Sequence, residues 1–192
     1  MKVLCIGDSN TYGYDPRSYF GSRYPAEVRW TERLEEHEVI TCGMNGLAVP
    51  YDSRPFAEMI RAKSPDLAVV MLGSNDLLEG ADAAAAADRM DTFLTAVLAT
   101  GVRVLLLAPP PMQRGEWVQR KALIEESEKL RQRYRTLAEK RGCFFADAGD
   151  WDVELLFDGV HFSPSGHAAF ARGLAKALRE CEQTTGPESA FG

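Results

Sequence analysis

The chain has 192 residues, of which 45% are hydrophobic and 26% are charged, the ordinary balance of a globular protein. Its 22 basic and 28 acidic side chains give a net charge of −6, which argues against a nucleic-acid binder with a basic face. No apolar run approaches the ~18 residues that cross a bilayer, so we expect no membrane span. We predict one domain over residues 1–182, followed by a flexible polar tail over residues 183–192.

The amino terminus and the cysteines bear on the compartment. The short apolar run Val3–Ile6 ends in Gly7-Asp8, whereas the apolar region of a secretory signal spans ~7–15 residues. The 4 cysteines form no Cys-x-x-Cys motif, and most of them lie in apolar runs, where a free thiol packs as a small hydrophobe. We therefore expect reduced thiols, no bound metal and a cytoplasmic location.

Apolar runs rich in β-branched residues predict five strands. The runs are continuous rather than alternating, which is typical of strands buried on both faces of a parallel sheet. In chain order they are Lys2–Ile6, Glu38–Cys42, Asp66–Leu72, Val102–Ala108 and Cys143–Asp147. Between them, apolar residues recur at helical spacing around Trp30 and Leu34, around Phe56 and Ile60, and over 83–98, 119–141 and 163–178. Alternating strands and helices predict βαβ units in an α/β domain.

Small polar residues follow several strands, at the edge of the sheet where ligands bind in such folds. The segments are Gly7-Asp8-Ser9-Asn10-Thr11 after the first strand, Gly43-Met44-Asn45-Gly46 after the second, Gly73-Ser74-Asn75-Asp76 after the third and Asp158-Gly159-Val160-His161 beyond the fifth. Each segment alone is an ordinary turn sequence. Their occurrence on one rim, with an Asp-x-x-His downstream, favours a shared site.

The residue types at this rim match the chemistry of ester cleavage. A nucleophilic serine needs a base that takes its proton, an acid that orients the base, and donors for the oxyanion. Ser9, His161 and Asp158 supply the first three groups, while Asn75 and backbone N–H groups can supply the donors. Asp8 and Asp76 are interpreted as acids that brace their turns.

The 3 histidines compete for the role of base. His37 lies among glutamates and is predicted to be solvated, whereas His167, in the first turn of the last helix, is predicted to have a packing or surface role. His161 follows an acid by three residues, as expected of a base that a carboxylate orients through the second ring nitrogen. We therefore predict that His161 is the base.

Other catalytic and binding motifs fail on spacing. Residues 7–11 lack the second glycine of a Gly-x-Ser-x-Gly nucleophile elbow, and His37-Glu38 lacks the second histidine of a zinc protease motif. The chain has neither a Gly-x-x-x-x-Gly-Lys phosphate loop nor a Gly-x-Gly-x-x-Gly dinucleotide motif. One alternative stays open, because residues 9–13 also suit the phosphate cradle of a non-catalytic, flavodoxin-like binding module.

The rim segments resemble, in order, the four blocks of the SGNH hydrolases, also called GDSL esterases and lipases. Gly7-Asp8-Ser9 is similar to the first block, Gly46 matches the glycine of the second, Asn75 the asparagine of the third, and Asp158-Gly159-Val160-His161 the last. The resemblance implies a three-layer α/β/α, flavodoxin-like fold with a five-stranded parallel sheet in the order 2-1-3-4-5. It also implies a catalytic triad of Ser9, Asp158 and His161, an oxyanion hole of Ser9, Gly46 and Asn75, and no cofactor. Asn10 departs from the family pattern, which more often has leucine or another apolar residue there.

Shorter similarities point to the arylesterase and acyltransferase branch of the family: Val28-Arg29-Trp30-Thr31, Pro109-Pro110-Pro111 and Phe144–Gly149. Members of that branch often form homo-oligomers, and some transfer acyl groups to alcohols or peroxide. We therefore expect a serine esterase that hydrolyses short-chain acyl esters, of the arylesterase or carbohydrate deacetylase type, through an acyl-enzyme on Ser9. A lysophospholipase or thioesterase of the same family is the alternative. The expected partner is a small-molecule ester, with no nucleic acid, and a homo-oligomer is the implied assembly.

Two features have more than one interpretation. Tyr12, Tyr14 and Trp30, near the first turn, either line an acyl pocket or belong to the core. Segment 109–118, which contains Trp117, has no helical or strand period and either covers the rim as a lid or forms an oligomer contact.

Overall fold

Five parallel strands form the centre of the structure, a computed structural model that describes residues 1–18 and 20–184. Their order is β2-β1-β3-β4-β5, which confirms the predicted sheet. The bounds differ from the predicted ones by at most one residue at either end: β1 (Lys2–Gly7), β2 (Glu38–Gly43), β3 (Leu67–Met71), β4 (Arg103–Ala108) and β5 (Phe144–Asp147).

Helices connect the strands within the described part of the chain. They are α1 (Ser9–Tyr12), α2 (Arg54–Lys63), α3 (Ser74–Leu78), α4 (Ala83–Leu98), α5 (Lys121–Arg141) and α6 (Pro164–Gln183). The start of α6 is as predicted, because the Ser163 side chain accepts the Gly166 N–H and Pro164 occupies the first helical position. Gln183 ends this helix and Thr184 caps it, so the predicted tail begins within ordered helix. The rest of that predicted tail, 185–192, lies outside the described residues.

The helix predicted around Trp30 and Leu34 is wrong. Between α1 and β2 the described residues form a loop with one short 3-10 turn, Trp30–Arg33. Both apolar residues are buried, because a single turn places them together against the sheet. The charged run Glu35-Glu36 that follows offers no apolar face to continue a helix.

Two apolar layers hold the helices on the sheet. Leu4 and Ile6 of β1 face the layer that contains side chains of α2, α4 and α5. Val3 and Cys5 face the opposite layer, which contains Trp30 and the apolar side of α6. The strand is therefore buried on both faces, as its continuous apolar run predicts. The result is the expected three-layer α/β/α architecture.

All four cysteines are free, and burial raises the pKa of the Cys5 thiol to about 12. The prediction that His37 is solvated is wrong: its side chain is 3% exposed and its Nδ1 lies 3.4 Å from the amino-terminal nitrogen. This burial arises because β2 starts beside the amino terminus, where the Glu38 N–H donates to the Met1 carbonyl. No helix among the described residues is both long and apolar enough to cross a membrane.

The register of the three neighbouring strands positions the rim. Gly7, the last residue of β1, lies opposite Gly43 in β2 and Met71 in β3. The three strands therefore end at the same level, and the chain leaves all of them on one side of the sheet. Residues that follow β1, β2 and β3 are brought together by this register, as expected for the carboxyl edge of a parallel sheet.

Candidate active site

Ser9 is the first residue of α1, immediately beyond β1. The Asp8 carboxylate caps this helix by accepting the Asn10 N–H at 2.9 Å, so Asp8 braces the turn as predicted. Burial raises the pKa of Asp8 to about 6, although the Asn10 N–H and the nearby His161 oppose the shift. Gly43 allows the end of β2 to pass close to α1, because a Cβ there would overlap the Tyr12 backbone.

His161 links Ser9 to Asp158. Its Nε2 lies 2.9 Å from Ser9 Oγ, and its Nδ1 lies 2.7 Å from Asp158 Oδ2. The second Asp158 oxygen, Oδ1, accepts the backbone N–H groups of Val160 and His161, each at 2.9 Å. The structure thus brings the three residues of the predicted triad into one hydrogen-bonded chain.

The environment of Asp158 favours its ionised form. The side chain is 0% exposed, and this burial works to raise its pKa. The hydrogen bonds from the His161 ring and from the two backbone N–H groups outweigh burial and hold the pKa below its usual range. An ionised carboxylate at this point can fix the tautomer of His161 and stabilise its cation.

Segment 109–118 lies along the loop that carries Asp158. The Gln113 N–H donates to the Gly159 carbonyl at 3.0 Å, and the Trp117 N–H donates to the Asp158 carbonyl at 3.1 Å. Gly159 has a φ of 82°, and a Cβ there would overlap the Gln113 carbonyl. The segment therefore covers part of the rim, as the lid interpretation predicts, whereas an oligomer contact through it stays a prediction.

Two aromatic rings flank His161. The Tyr14 ring lies 4.8 Å from the imidazole, and the Trp117 ring meets it edge-on at 5.0 Å. Trp117 is 51% exposed, so one side of its indole faces the solvent. Trp30 belongs to the core instead, and Tyr12 stacks under the Arg23 guanidinium at 4.5 Å. Of the three aromatic residues predicted near the first turn, Tyr14 is the one that reaches the site.

A cavity of about 220 Å³ opens beside Ser9 and His161. Its walls combine a few polar groups with apolar side chains, which is typical of small-molecule sites. The lining residues are Ser9, Tyr14, Asn45, Gly46, Asn75, Leu78, Trp117, Val160 and His161. Four of the five residues predicted for the triad and oxyanion hole therefore line one cavity, and the fifth, Asp158, is buried behind His161.

Asn75 and Gly46 line the same cavity as Ser9. Asn75 Nδ2 donates one hydrogen to the Leu47 carbonyl at 3.1 Å, and a primary amide has a second hydrogen to offer. Asp76, next along α3, accepts the Val49 N–H at 2.9 Å and the Arg89 guanidinium at 2.7 Å. Asp76 therefore braces this turn, as predicted, and makes no contact of the kind that joins Asp158 to His161.

His167 is buried, with its Nδ1 accepting the Trp30 N–H at 3.4 Å, so it has the predicted packing role. Burial lowers the pKa of His167 to about 4, and Arg33 and Arg29 act in the same direction. Within residues 1–18 and 20–184, no cluster of three His, Cys, Asp or Glu side chains is arranged to hold a metal ion.

Sequence reasoning missed several residues of the site. Asn45 and Val160 line the cavity and lie inside the motifs that contain Gly46 and His161. Their position next to predicted site residues could have indicated that they line the cavity. Leu78 gave no signal, because the short helix α3 has too few residues to show a period. In the sequence, Asn10 stands out only as a departure from the family pattern, although its side chain contacts the His161 loop.

Comparison with known proteins identifies the family. The chain matches the model of the GDSL-like lipase/acylhydrolase family over residues 5–169. It belongs to this family. The resemblance to SGNH hydrolases is therefore confirmed, and this GDSL-like hydrolase is a serine enzyme that cleaves ester bonds. The alternative of a non-catalytic, flavodoxin-like binding module is wrong.

Solved structures of similar proteins cover nearly the whole hydrolase. A candidate arylesterase from Agrobacterium tumefaciens str. C58 is 33% identical, with a TM-score of 0.84 over 94% of this chain and 99% of that one. A carbohydrate acetylesterase family member from Sinorhizobium meliloti is 29% identical, with a TM-score of 0.83 over 94% and 98%. The aryl esterase of M. smegmatis is 25% identical, with a TM-score of 0.82 over 93% and 98%. A comparison with curated proteins found no significant match.

Proposed function

We propose that the chain hydrolyses short-chain acyl esters through an acyl-enzyme on Ser9. The observation that carries the proposal is the pair of contacts that joins Ser9 Oγ to His161 Nε2 at 2.9 Å and His161 Nδ1 to Asp158 Oδ2 at 2.7 Å. These distances are those of a nucleophile on its base and of a base on its orienting acid. The cavity beside Ser9 provides space for the ester.

In the proposed reaction, His161 Nε2 removes the Ser9 proton while Oγ attacks the ester carbonyl carbon. Asp158 holds the imidazole and stabilises its positive charge. The tetrahedral intermediate collapses as His161 passes the proton to the departing alcohol, which leaves the acyl group on Ser9. A water molecule, deprotonated by His161, then attacks this acyl-enzyme, and the acid is released as Ser9 recovers its proton.

The proposed oxyanion hole consists of the Ser9 and Gly46 N–H groups and the Asn75 amide. The support is that all three residues line the cavity that contains Ser9 Oγ and His161. Ser9 is the first residue of α1, and the first N–H groups of a helix have no partner within it. Asn75 is held by the Leu47 carbonyl, so its amide is already fixed before an oxyanion forms.

The size of the cavity supports a small acyl group. Its volume of about 220 Å³ lies below the ~300–1,000 Å³ of pockets that hold drug-sized ligands. Acetyl esters of phenols or of carbohydrates fit this limit, and the similar structures described as aryl and carbohydrate acetyl esterases support them. A series of p-nitrophenyl esters tests the limit: kcat/KM is expected to fall as the acyl chain lengthens. A maximum at long chains would favour the lysophospholipase or thioesterase alternative.

Transfer of the acyl group to an alcohol is a finer proposal. The Tyr14 and Trp117 rings provide an apolar wall beside His161, where an alcohol can compete with water for the acyl-enzyme. Added alcohol is expected to divert acyl groups from acid to ester, which chromatography of the products measures. A homo-oligomeric state, a single domain over 1–182, a cytoplasmic location and a lack of nucleic-acid binding stay predictions, and light scattering with size-exclusion chromatography tests the first.

An active-site label tests the proposed nucleophile. The protein is incubated with p-nitrophenyl acetate to measure turnover and with an organophosphonate to trap the nucleophile, and the labelled peptide is identified by mass spectrometry. We expect hydrolysis that the phosphonate abolishes, with the label on Ser9, and no turnover or label in Ser9→Ala. Hydrolysis that survives in Ser9→Ala, or a label on another residue, would contradict the proposal.

A further inference from the structure

Asn10, which directly follows Ser9, has a buried side chain and four paired polar groups. Its N–H donates to Asp8 Oδ1 at 2.9 Å, and its carbonyl accepts the Trp30 indole N–H at 2.9 Å. Trp30 is itself fully packed in the core. The backbone of Asn10 is therefore fixed to both the cap of α1 and the interior of the protein.

The side-chain amide of Asn10 bonds to the main chain on both sides of His161. Nδ2 donates to the Val160 carbonyl at 3.1 Å, and Oδ1 accepts the Phe162 N–H at 3.0 Å. In an extended chain the carbonyl of one residue and the N–H two residues later point to the same side. The amide thus pairs with residues 160–162 as a neighbouring strand would.

The opposite edge of this segment is paired within its own loop. The His161 N–H donates to Asp158 Oδ1 at 2.9 Å, and the His161 carbonyl accepts the Leu156 N–H at 2.7 Å. These bonds fix His161 relative to Asp158. They do not fix it relative to Ser9, which lies on α1 and is 152 positions away in sequence.

We propose that Asn10 is a positioning residue, whose amide clamps the backbone on both sides of His161 and so holds the imidazole against Ser9 Oγ. This inference rests on the proposed function, in which His161 takes the Ser9 proton. The nucleophile and its clamp are consecutive residues of α1, so any movement of Ser9 carries the clamp with it. The two hydrogen bonds of the Asn10 amide therefore set the distance between Ser9, on α1, and His161, on the loop that follows β5.

An apolar residue at position 10 would remove the clamp without emptying the space. Leucine has the same branched arrangement of four side-chain heavy atoms as asparagine, with bulkier methyl ends, but it would leave the Val160 carbonyl and the Phe162 N–H unpaired in a buried place. The loop is then expected to shift toward other partners or water. Since Asn10 does not line the cavity, the loss should affect the proton transfer and not the binding of the ester.

The test compares Asn10→Leu with wild type and with Tyr24→Phe. Tyr24 Oη donates to the Phe162 carbonyl at 3.2 Å, so Tyr24→Phe removes a buried bond to the same loop but leaves the clamp intact. For Asn10→Leu we expect kcat for p-nitrophenyl acetate to fall about 10–100-fold with KM changed less than about twofold, and a matching loss in the rate of phosphonate labelling. For Tyr24→Phe we expect kcat within about threefold of wild type.

Circular dichroism and thermal melting confirm that each variant is folded at the assay temperature. If Asn10→Leu does not fold, Asn10→Ala replaces it in the same kinetic and labelling experiments. Unchanged kcat and labelling in folded Asn10 variants would overturn the clamp while wild-type labelling at Ser9 upholds the proposed function. Equal losses of kcat in Asn10→Leu and Tyr24→Phe would also overturn the clamp, because any hydrogen bond to the His161 loop would then have the same effect. Failure of the wild type to label at Ser9 would instead refute the proposed function.

Discussion

Replacement of Asp158 by asparagine changes one atom at the centre of the site. The asparagine carbonyl can still accept the Val160 and His161 N–H groups that Oδ1 accepts in the wild type. The amide NH₂ then takes the place of Oδ2, which lies 2.7 Å from His161 Nδ1. Two donors cannot face each other, so the ring proton is expected to move to Nε2, toward Ser9.

The magnitude follows from this change of tautomer. An imidazole with its proton on Nε2 cannot accept the Ser9 proton, and the same exchange in a serine protease lowers kcat by about 10⁴. That factor corresponds to about 5.5 kcal/mol of activation free energy, at about 1.4 kcal/mol per tenfold. The fold is expected to survive, because the backbone bonds to Oδ1 remain. Asp158→Asn should therefore be a folded protein with almost no turnover.

Steady-state hydrolysis of p-nitrophenyl acetate, with circular dichroism on the same samples, measures both effects. Asp152→Asn is the matched control, since Asp152 is exposed and outside the cavity, and asparagine tolerates its φ of 52°. The control is expected to retain wild-type turnover. If folded Asp158→Asn kept more than about a tenth of the wild-type kcat, the role of Asp158 in orienting the base would be refuted.

Three further predictions concern the oxyanion and the buried titratable groups. Asn75→Ala is expected to lower kcat about 10²–10³-fold in a protein that stays folded at the assay temperature, and near-wild-type turnover would remove Asn75 from the mechanism. The pKa of Asp8 is raised to about 6, so its ionisation costs stability as the pH rises from 4 to 6. In urea titrations Asp8→Asn, which keeps the cap, should gain about 1–3 kcal/mol relative to wild type between pH 4 and pH 7; equal pH profiles would contradict this. His167 has the opposite sign, because a pKa lowered to about 4 makes the folded state lose stability as the pH falls from 6.5 to 4. His167→Leu should show a weaker loss over that range, and an unchanged slope would refute it.

The features that sequence predicts well here are those set by local patterns. Continuous apolar runs predict β1 and β3 because both faces of these strands are buried, so that consecutive residues of the sequence are apolar. The sites of Ser9 and Asn75 follow from the strands, because a parallel sheet presents its carboxyl ends on one rim. The Asp-x-x-His spacing was equally local, since Asp158 and His161 belong to one loop.

The features that sequence does not predict depend on contacts between distant segments. The burial of His37 results from its position beside the amino terminus. The glutamates around His37 in the sequence predict an exposed residue instead. Trp117 reaches His161 because segment 109–118 bonds to the loop after β5, and no period marks such an aperiodic segment. The Asn10 amide pairs with a loop about 150 residues later, so only the folded chain relates them.

Rapid-quench mass spectrometry tests most directly whether the ester's acyl group passes through Ser9. The wild type is mixed with excess p-nitrophenyl acetate, quenched in acid during the first turnover and digested. We predict a burst of nitrophenol and an acetyl group on the peptide at Ser9, which disappears as turnover is completed and is absent in Ser9→Ala. Rapid hydrolysis without any acetylated Ser9, in a quench fast enough to capture the burst, would contradict the account.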